Sequence, residues 1–398
     1  MKKLFVFMLV LCLAIFPQYA NATETASVYP YDVEFPDFWF KASAAEYISD
    51  GSAKALLLME FSTGRVLFAE NELVHLPIAS VTKVISTLLV AEAIDSGRIS
   101  LSDSVTVSEY AASMGGSQVF LEAGETMSVE DLLKSLIVVS ANDATVALGE
   151  YICGSEAAFV AAMNERAREL GCENSNFVNT NGLPAENHYS CAYDIALITR
   201  ELMKHELVFK YTGIWMDTIR NGEFGLANTN KLIRFYKGAT GMKTGFTGEA
   251  KYCLSGTAKR DGMHLIAIVL GAETSDKRFA AAKGLLDYGF ANYSVITPEV
   301  PAIESIPVAR GVRGSAELYS EPISILVEKG GAAKPEAKLF INESLQAPVQ
   351  RGAEAGYISY CLDGKEVGRA PVLAAEDVEE ISYSSLLGKF FKALFFKE

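Results

Sequence analysis

The run PIASVTKVIST, residues 77–87, sets Ser80 and Lys83 three apart where an apolar helical periodicity begins. At that spacing two side chains share a helical face, and a serine hydroxyl becomes a nucleophile once a neighbouring base takes its proton. Lysine can be that base only if burial or a second cation lowers its pKa. Alone, the pair reads more simply as a capping serine beside a solvated lysine. Two further clusters change the balance. VVSANDA places Ser140, Ala141 and Asn142 at a polar break after the apolar LIVV, and GMKTGFTGEAKY places Lys243, Thr244 and Gly245 at the head of an extended run. Each of Ser-x-x-Lys, Ser-x-Asn and Lys-Thr-Gly occurs once, in that order.

These clusters need a scaffold. KALLLMEFSTGRVLFAE carries two apolar runs around Ser62-Thr63-Gly64, a hairpin pattern. Helical periodicity covers Val84–Ile94, Val129–Val139, Ala144–Ile152 and Ala157–Leu170, so the region from about 80 to 205 is expected to be mostly helical. From Met242 the pattern turns extended, with two strands expected around Lys259-Arg260-Asp261-Gly262, whose Asp-Gly favours a tight turn. A helix in SDKRFAAAKGLLDYGF follows. Strands at both ends with helices between predict one α+β domain over 26–294, its sheet collecting the first and last hairpins. Beyond Pro298 short β-rich segments continue, with a hairpin at Leu362-Asp363-Gly364-Lys365, and predict a small all-β domain over 298–381.

The ends carry a different message. Two lysines, thirteen apolar residues from Leu4 to Phe16, Pro17 and then Ala20-Asn21-Ala22 read as a cleaved export signal over 1–22. The run is shorter than the roughly 20 residues a membrane-spanning helix needs. In the tail, 382–398, Leu386, Leu387, Phe390, Phe391, Leu394 and Phe395 share one helical face while Lys389 and Lys392 point elsewhere. That is the pattern of a helix lying in a membrane surface. The chain is expected to be exported and peripherally anchored on the outer face of the cytoplasmic membrane.

Composition excludes several function classes. A net charge of -14 without a clustered basic surface argues against nucleic acid as a partner. Cys153, Cys172, Cys191, Cys253 and Cys361 remain after the signal, an odd number without metal spacing, so at least one thiol is expected to stay free. His75, His188, His205 and His264 form no HxxxH or HxH pattern, and neither a metal nor a cofactor is expected.

With the three motifs in order, the chain resembles the penicillin-binding serine enzymes. With signal, catalytic domain, small β domain and amphipathic tail, it looks like the low-molecular-mass D-alanyl-D-alanine carboxypeptidases. The expected fold is therefore a serine β-lactamase/DD-peptidase-like domain followed by the β domain and the tail helix. The resemblance implies Ser80 as acylated nucleophile, Lys83 as base, Ser140 as proton relay to the leaving D-alanine, and Lys243 as the charge that keeps Lys83 partly neutral. The backbone N–H groups of Ser80 and Phe246 would form the oxyanion hole. Asn142, Thr244 and the strand at Gly245 would hold the peptide, with Thr244 and Arg278 offered to its terminal carboxylate; Arg278 reads alternatively as a surface helix charge. Gly182, His188 and Asp194, in NTNGLPAENHYSCAYD, read as loop-shaping residues. The implied partners are a peptidoglycan stem peptide ending in D-Ala-D-Ala and the β-lactams.

Phe246 stands where some members carry histidine, which makes the pocket greasier. A class A β-lactamase would need Glu-x-x-x-Asn between the second and third motifs, and here Glu173 and Asn176 are three apart. A signalling receptor would need a spanning segment, and an inactive wall-binding scaffold would have no use for intact motifs.

Overall fold

The computed structural model of the chain describes residues 51–330, 334–384, 387 and 388. The expected signal, 1–22, and most of the expected tail helix, 382–398, lie outside the described residues.

ALLLME and VLFAE form the first hairpin, β1 (Ala55–Glu60) and β2 (Val66–Glu70). A 3-10 turn, Ala79–Thr82, leads into α1 (Lys83–Asp95), whose sequence is apolar on nearly every side and which is buried accordingly. Around it stand α2 (Glu109–Ala112), α3 (Val129–Val138), α4 (Asn142–Cys153), α5 (Glu156–Glu169), α6 (Ala192–Leu202) and α7 (Glu206–Thr212). The hydroxyls of Ser108, Ser128 and Ser155 cap α2, α3 and α5 by accepting from backbone N–H groups three residues on. The helical region is more broken than expected. A ribbon of β3 (Ser104–Thr106) and β4 (Thr126–Ser128) interrupts it, as does an irregular stretch from 170 to 191.

A second ribbon, β5 (Met216–Ile219) with β6 (Phe224–Ala227), and the short α8 (Leu232–Phe235) precede the last strands of the domain. Three strands follow where two were expected: β7 (Ala239–Thr247), β8 (Lys251–Arg260) and β9 (Met263–Ala272). The turn at 248–250 divides the first run; Thr247 Oγ1 closes it by accepting from the Ala250 N–H at 3.0 Å, and Lys251 takes φ +56°. That turn lacks the Asp-Gly or Asn-Gly pair that makes a hairpin visible in sequence. At Asp261-Gly262 the pair is present, both residues have positive φ, and the expected tight turn forms. Helix α9 (Ser275–Asn292) completes the domain.

Sheet order β2-β1-β9-β8-β7 joins both ends of the domain, as expected, and leaves β7 at an edge. Strand side chains alternate between faces. Leu57, Met59, Ile266 and Ile268 therefore join the core under the helices, while Leu56, Leu58, Leu265 and Ala267 join Phe279, Leu285 and Leu286 of α9 on the other face. Burying one such side chain contributes about 1.5–3 kcal/mol.

From Tyr293 to Ala374 the described elements are strands: β10 (Tyr293–Ile296), β11 (Ile306–Ala309), β12 (Ser315–Ala316), β13 (Leu318–Tyr319), β14 (Ile325–Glu328), β15 (Glu336–Ile341), β16 (Leu345–Gln346), β17 (Glu354–Leu362) and β18 (Lys365–Ala374). Asp363-Gly364 makes the expected β17–β18 turn. Ile325, Ile358, Tyr360, Ala370 and Val372 form one small core, and Val308, Ala316, Val349 and Val378 belong to another. β10 pairs with β14, and Leu326 joins the second core of the first domain beside Phe290 and Tyr293.

Candidate active site

Ser80 sits in the 3-10 turn that opens α1, and its side chain caps nothing. Lys83 is fully buried at the head of the helix, and its Nζ lies 3.0 Å from Ser80 Oγ, 2.6 Å from Asn142 Oδ1 and 2.7 Å from the Asn181 carbonyl. Burial holds the Lys83 pKa well below the ordinary lysine value, the charge of Lys243 lowers it further, and Asp143 pulls the other way. The solvated-lysine alternative is thereby overturned. A neutral amine has two N–H groups and one lone pair. In that form the Asn142 and Asn181 oxygens take both N–H groups and the lone pair faces the Ser80 hydroxyl, whereas the ammonium form donates to all three oxygens.

Ser140 occupies the break between α3 and α4 with φ +67°, and its buried Oγ has no partner. The turn is fixed from below: Ala141 N–H donates to Ser135 O and Asn142 N–H to Ser117 O. Asn142 Nδ2 donates to Gly115 O at 2.6 Å, which orients its oxygen towards Lys83.

β7 forms the opposite wall. A Cβ on Gly245 would lie 2.8 Å from Ile78 O and 3.0 Å from Ser80 N, so only glycine lets the strand pass this close to the Ser80 turn. Lys243 is buried and donates to Thr244 O at 2.9 Å; burial first, then Arg278, pushes its pKa down to about 7. Phe246 is 55 % exposed with its ring against Tyr252, centroids 4.4 Å apart. Arg278 is no surface charge. It is 6 % exposed, its Nη1 donates to the carbonyls of Gly245 and Cys253 at 3.2 Å, and its Nε is unpartnered. Burial lowers its pKa to about 10.

His188, Asp194 and Gly182 lie behind the site. His188 Nδ1 accepts from the Val178 N–H, so Nε2 carries the proton and donates to Thr82 Oγ1 at 2.8 Å, which in turn donates to Ala79 O. Asp194 accepts from Asn174 N–H and Ser175 Oγ. Gly182, at φ +83°, is required because a Cβ would meet Ala79 O at 1.9 Å. All five described cysteines are free thiols. Cys253 is buried, and burial raises its pKa to about 11.

Sequence reasoning missed Asn181 and Thr229. Asn181 acts through its backbone oxygen, which leaves no side-chain signature. The exposed Thr229 Oγ1 lies 2.6 Å from Thr244 Oγ1. It is presented by a turn that Asn228 and Asn230 brace, Asn228 Nδ2 donating to Ile214 O and Asn230 Nδ2 to Gly241 O. The Asn-Thr-Asn triplet was the available signal.

A buried lysine on a serine, faced by a second buried lysine on an edge strand, defines the serine acyl-transfer class. The sequence profile of the D-alanyl-D-alanine carboxypeptidase family matches residues 41–274, and that of the penicillin-binding protein 5 C-terminal domain matches 301–380. The chain belongs to the D-alanyl-D-alanine carboxypeptidase family as a serine-type hydrolase among the low-molecular-mass penicillin-binding proteins. It is 44% identical over 344 residues to D-alanyl-D-alanine carboxypeptidase DacF of Bacillus subtilis (strain 168), covering 84% of this chain and 88% of that one. Among solved structures it is similar to penicillin binding protein 5 from Haemophilus influenzae, with a TM-score of 0.73, 33% identity, and 83% of this chain and 98% of that one covered. It is also similar to ampicillin-bound penicillin-binding protein D2 from Listeria monocytogenes, with a TM-score of 0.53, 34% identity, and 60% and 98% covered.

Proposed function

We propose that Ser80 is the nucleophile of a D-Ala-D-Ala carboxypeptidase acting on peptidoglycan stem peptides. The observation that carries this reading is the 3.0 Å contact between Ser80 Oγ and the buried Lys83 Nζ. Neutral Lys83 takes the hydroxyl proton as Oγ attacks the carbonyl of the penultimate D-alanine. The oxyanion is received by the backbone N–H groups of Ser80 and Phe246, one such donor being worth about 3–4 kcal/mol. Ser140 passes a proton to the departing amine of the terminal D-alanine, and Lys243 supplies positive charge beside it. Water, deprotonated in the same way, then hydrolyses the ester and restores Ser80. The acyl-donor peptide adds as a strand along the edge of β7 with Asn142 across from it. Thr244 and Arg278 receive its terminal carboxylate, the unpartnered Nε supporting that role for Arg278.

A β-lactam fits the same steps, because its strained amide resembles the peptide end while its leaving group stays tethered; the ampicillin-bound Listeria relative supports this. Mass spectrometry of the purified protein is expected to map a penicillin adduct to Ser80. A peptide ending in D-Ala-D-Ala is expected to release D-alanine, and Ser80→Ala to abolish both. An adduct without release sinks the carboxypeptidase role, and absence of both sinks Ser80 as nucleophile.

The site's place is the outer face of the cytoplasmic membrane, reached through the signal at 1–22 and held there by the apolar face of 382–398. Cell fractionation checks this: the chain ended at 381 should move to the soluble exported fraction, and unchanged membrane association would contradict the anchor.

A further inference from the structure

Phe120 takes φ +55° and is 67 % exposed, although Val119 and Leu121 on either side are buried. A bulky residue in the left-handed region is strained and persists only where its surroundings over-determine it. Here they do. The N–H groups of Val119 and Leu121 both donate to Asp143 Oδ2 at 3.1 Å. The carbonyls of Val119 and Phe120 accept from Arg220 Nη1 at 2.8 Å and Nη2 at 3.1 Å, and Arg220 is itself held by Glu125. The Phe120 ring meets Phe224 edge-on, centroids 6.3 Å apart, and the guanidinium of Arg220 covers Phe224 at 5.7 Å. This clamp holds an apolar ring in water, against the hydrophobic effect, so intramolecular packing does not account for it.

Its position does. Asp143 follows Asn142, whose amide holds Lys83. β6 begins at Phe224 and ends at Ala227, two residues before Thr229, which lies beside Thr244. The ring pair thus joins the segment held by Asp143, the neighbour of Asn142, to the segment that leads to Thr229.

We infer that Phe120, seated on Phe224, is a specificity-determining residue for the carboxypeptidase reaction. It is an apolar platform for the alkyl side chain of the residue that precedes the two D-alanines. The inference rests on the Ser80 reading above. That residue adjoins the one attacked, about 3.3 Å along an extended chain. The charges beside the platform, Arg220, Glu125 and Asp143, are engaged with one another or with backbone groups, so the platform offers contact to an alkyl stem rather than to a charged tip.

The test compares D-alanine release from acetyl-L-alanyl-D-alanyl-D-alanine and acetyl-L-norleucyl-D-alanyl-D-alanine. Glycine accepts φ +55° without strain, so Phe120→Gly removes the ring and keeps the fold. The native protein is expected to prefer the norleucyl peptide. In Phe120→Gly the norleucyl-to-alanyl ratio of kcat/KM should fall about tenfold, through KM, and in Phe120→Trp it should be kept. An unchanged ratio in Phe120→Gly, or equal slowing on both peptides, overturns the platform. No release by the native protein from either peptide would instead be failure of the carboxypeptidase reading, and the platform would fall with it.

Discussion

On the helical wall of the cleft Lys83 reaches three oxygens, Ser80 Oγ, Asn142 Oδ1 and the Asn181 carbonyl. On the sheet wall Lys243 reaches only the carbonyl of Thr244, and Arg278 keeps one buried N–H without a partner. Both walls are buried, so the contrast is one of polar satisfaction. An unpaired buried polar group costs about 1–3 kcal/mol. Among the described residues five buried side-chain atoms are unpaired, and two of these, Ser140 Oγ and Arg278 Nε, belong to this site. On the helical wall the Lys83 amine has its three partners in place and only the Ser140 hydroxyl is left open, an arrangement that suits a base acting on its own neighbour. The sheet wall leaves the Arg278 Nε–H open, an arrangement that suits the proposed grip on a peptide end.

The sharpest break is Lys83→Met, which fills a similar volume without the amine. If the helical wall supplies the base, penicillin acylation measured by stopped-flow should fall about 10⁴-fold. A fall below tenfold would move the base elsewhere. Lys243→Gln should cost less, about 10²-fold, and should also change the pH profile. The Lys243 charge lowers the Lys83 pKa. Without it that pKa rises, less neutral amine is present at a given pH, and the acid limb of kcat/KM moves to higher pH. A slower variant with an unmoved limb would show that Lys243 touches the substrate without tuning the base.

The helical wall was the more legible in sequence. Ser80, Lys83, Ser140 and Asn142 are side-chain signatures at short spacing, and helical periodicity around them is long enough to read. What escaped is backbone: the Asn181 carbonyl that completes Lys83, and the close approaches that fix Gly182 and Gly245. On the sheet wall Lys-Thr-Gly stands out, but its strand reads as one run with the next because the turn at 248–250 has no strong turn pair. Arg278 left two readings open because a lone arginine on a helix carries no mark of what it will pack under. The five-stranded order was readable, since strands at both ends of a helical domain have one sheet in which to meet. The ribbons β3–β4 and β5–β6 are three and four residues per strand, too short for a period to show.

Behind each wall stands a buried imidazole on a threonine hydroxyl: His188 on Thr82, next to Lys83, and His264 on Thr240 at the start of β7, 2.7 Å apart. Burial lowers the pKa of each from 6.5 to about 4, with Lys259 adding to the effect on His264. Above pH 6.5 both folded and unfolded chains hold these rings neutral, and nothing is lost. Between pH 6.5 and 4 the unfolded chain binds protons that the folded chain refuses. Stability therefore falls as pH falls through that window, by about 3 kcal/mol for each histidine. Urea midpoints taken across the window should show the fall. His188→Gln and His264→Gln, each less stable at neutral pH, should each remove about half of their combined contribution to the acid slope. Equal removal would mean that the two walls, unlike in how they meet the substrate, are anchored by the same device. If only one variant flattens the slope, the other imidazole is already protonated in the folded state, and the parallel between the walls ends at the cleft.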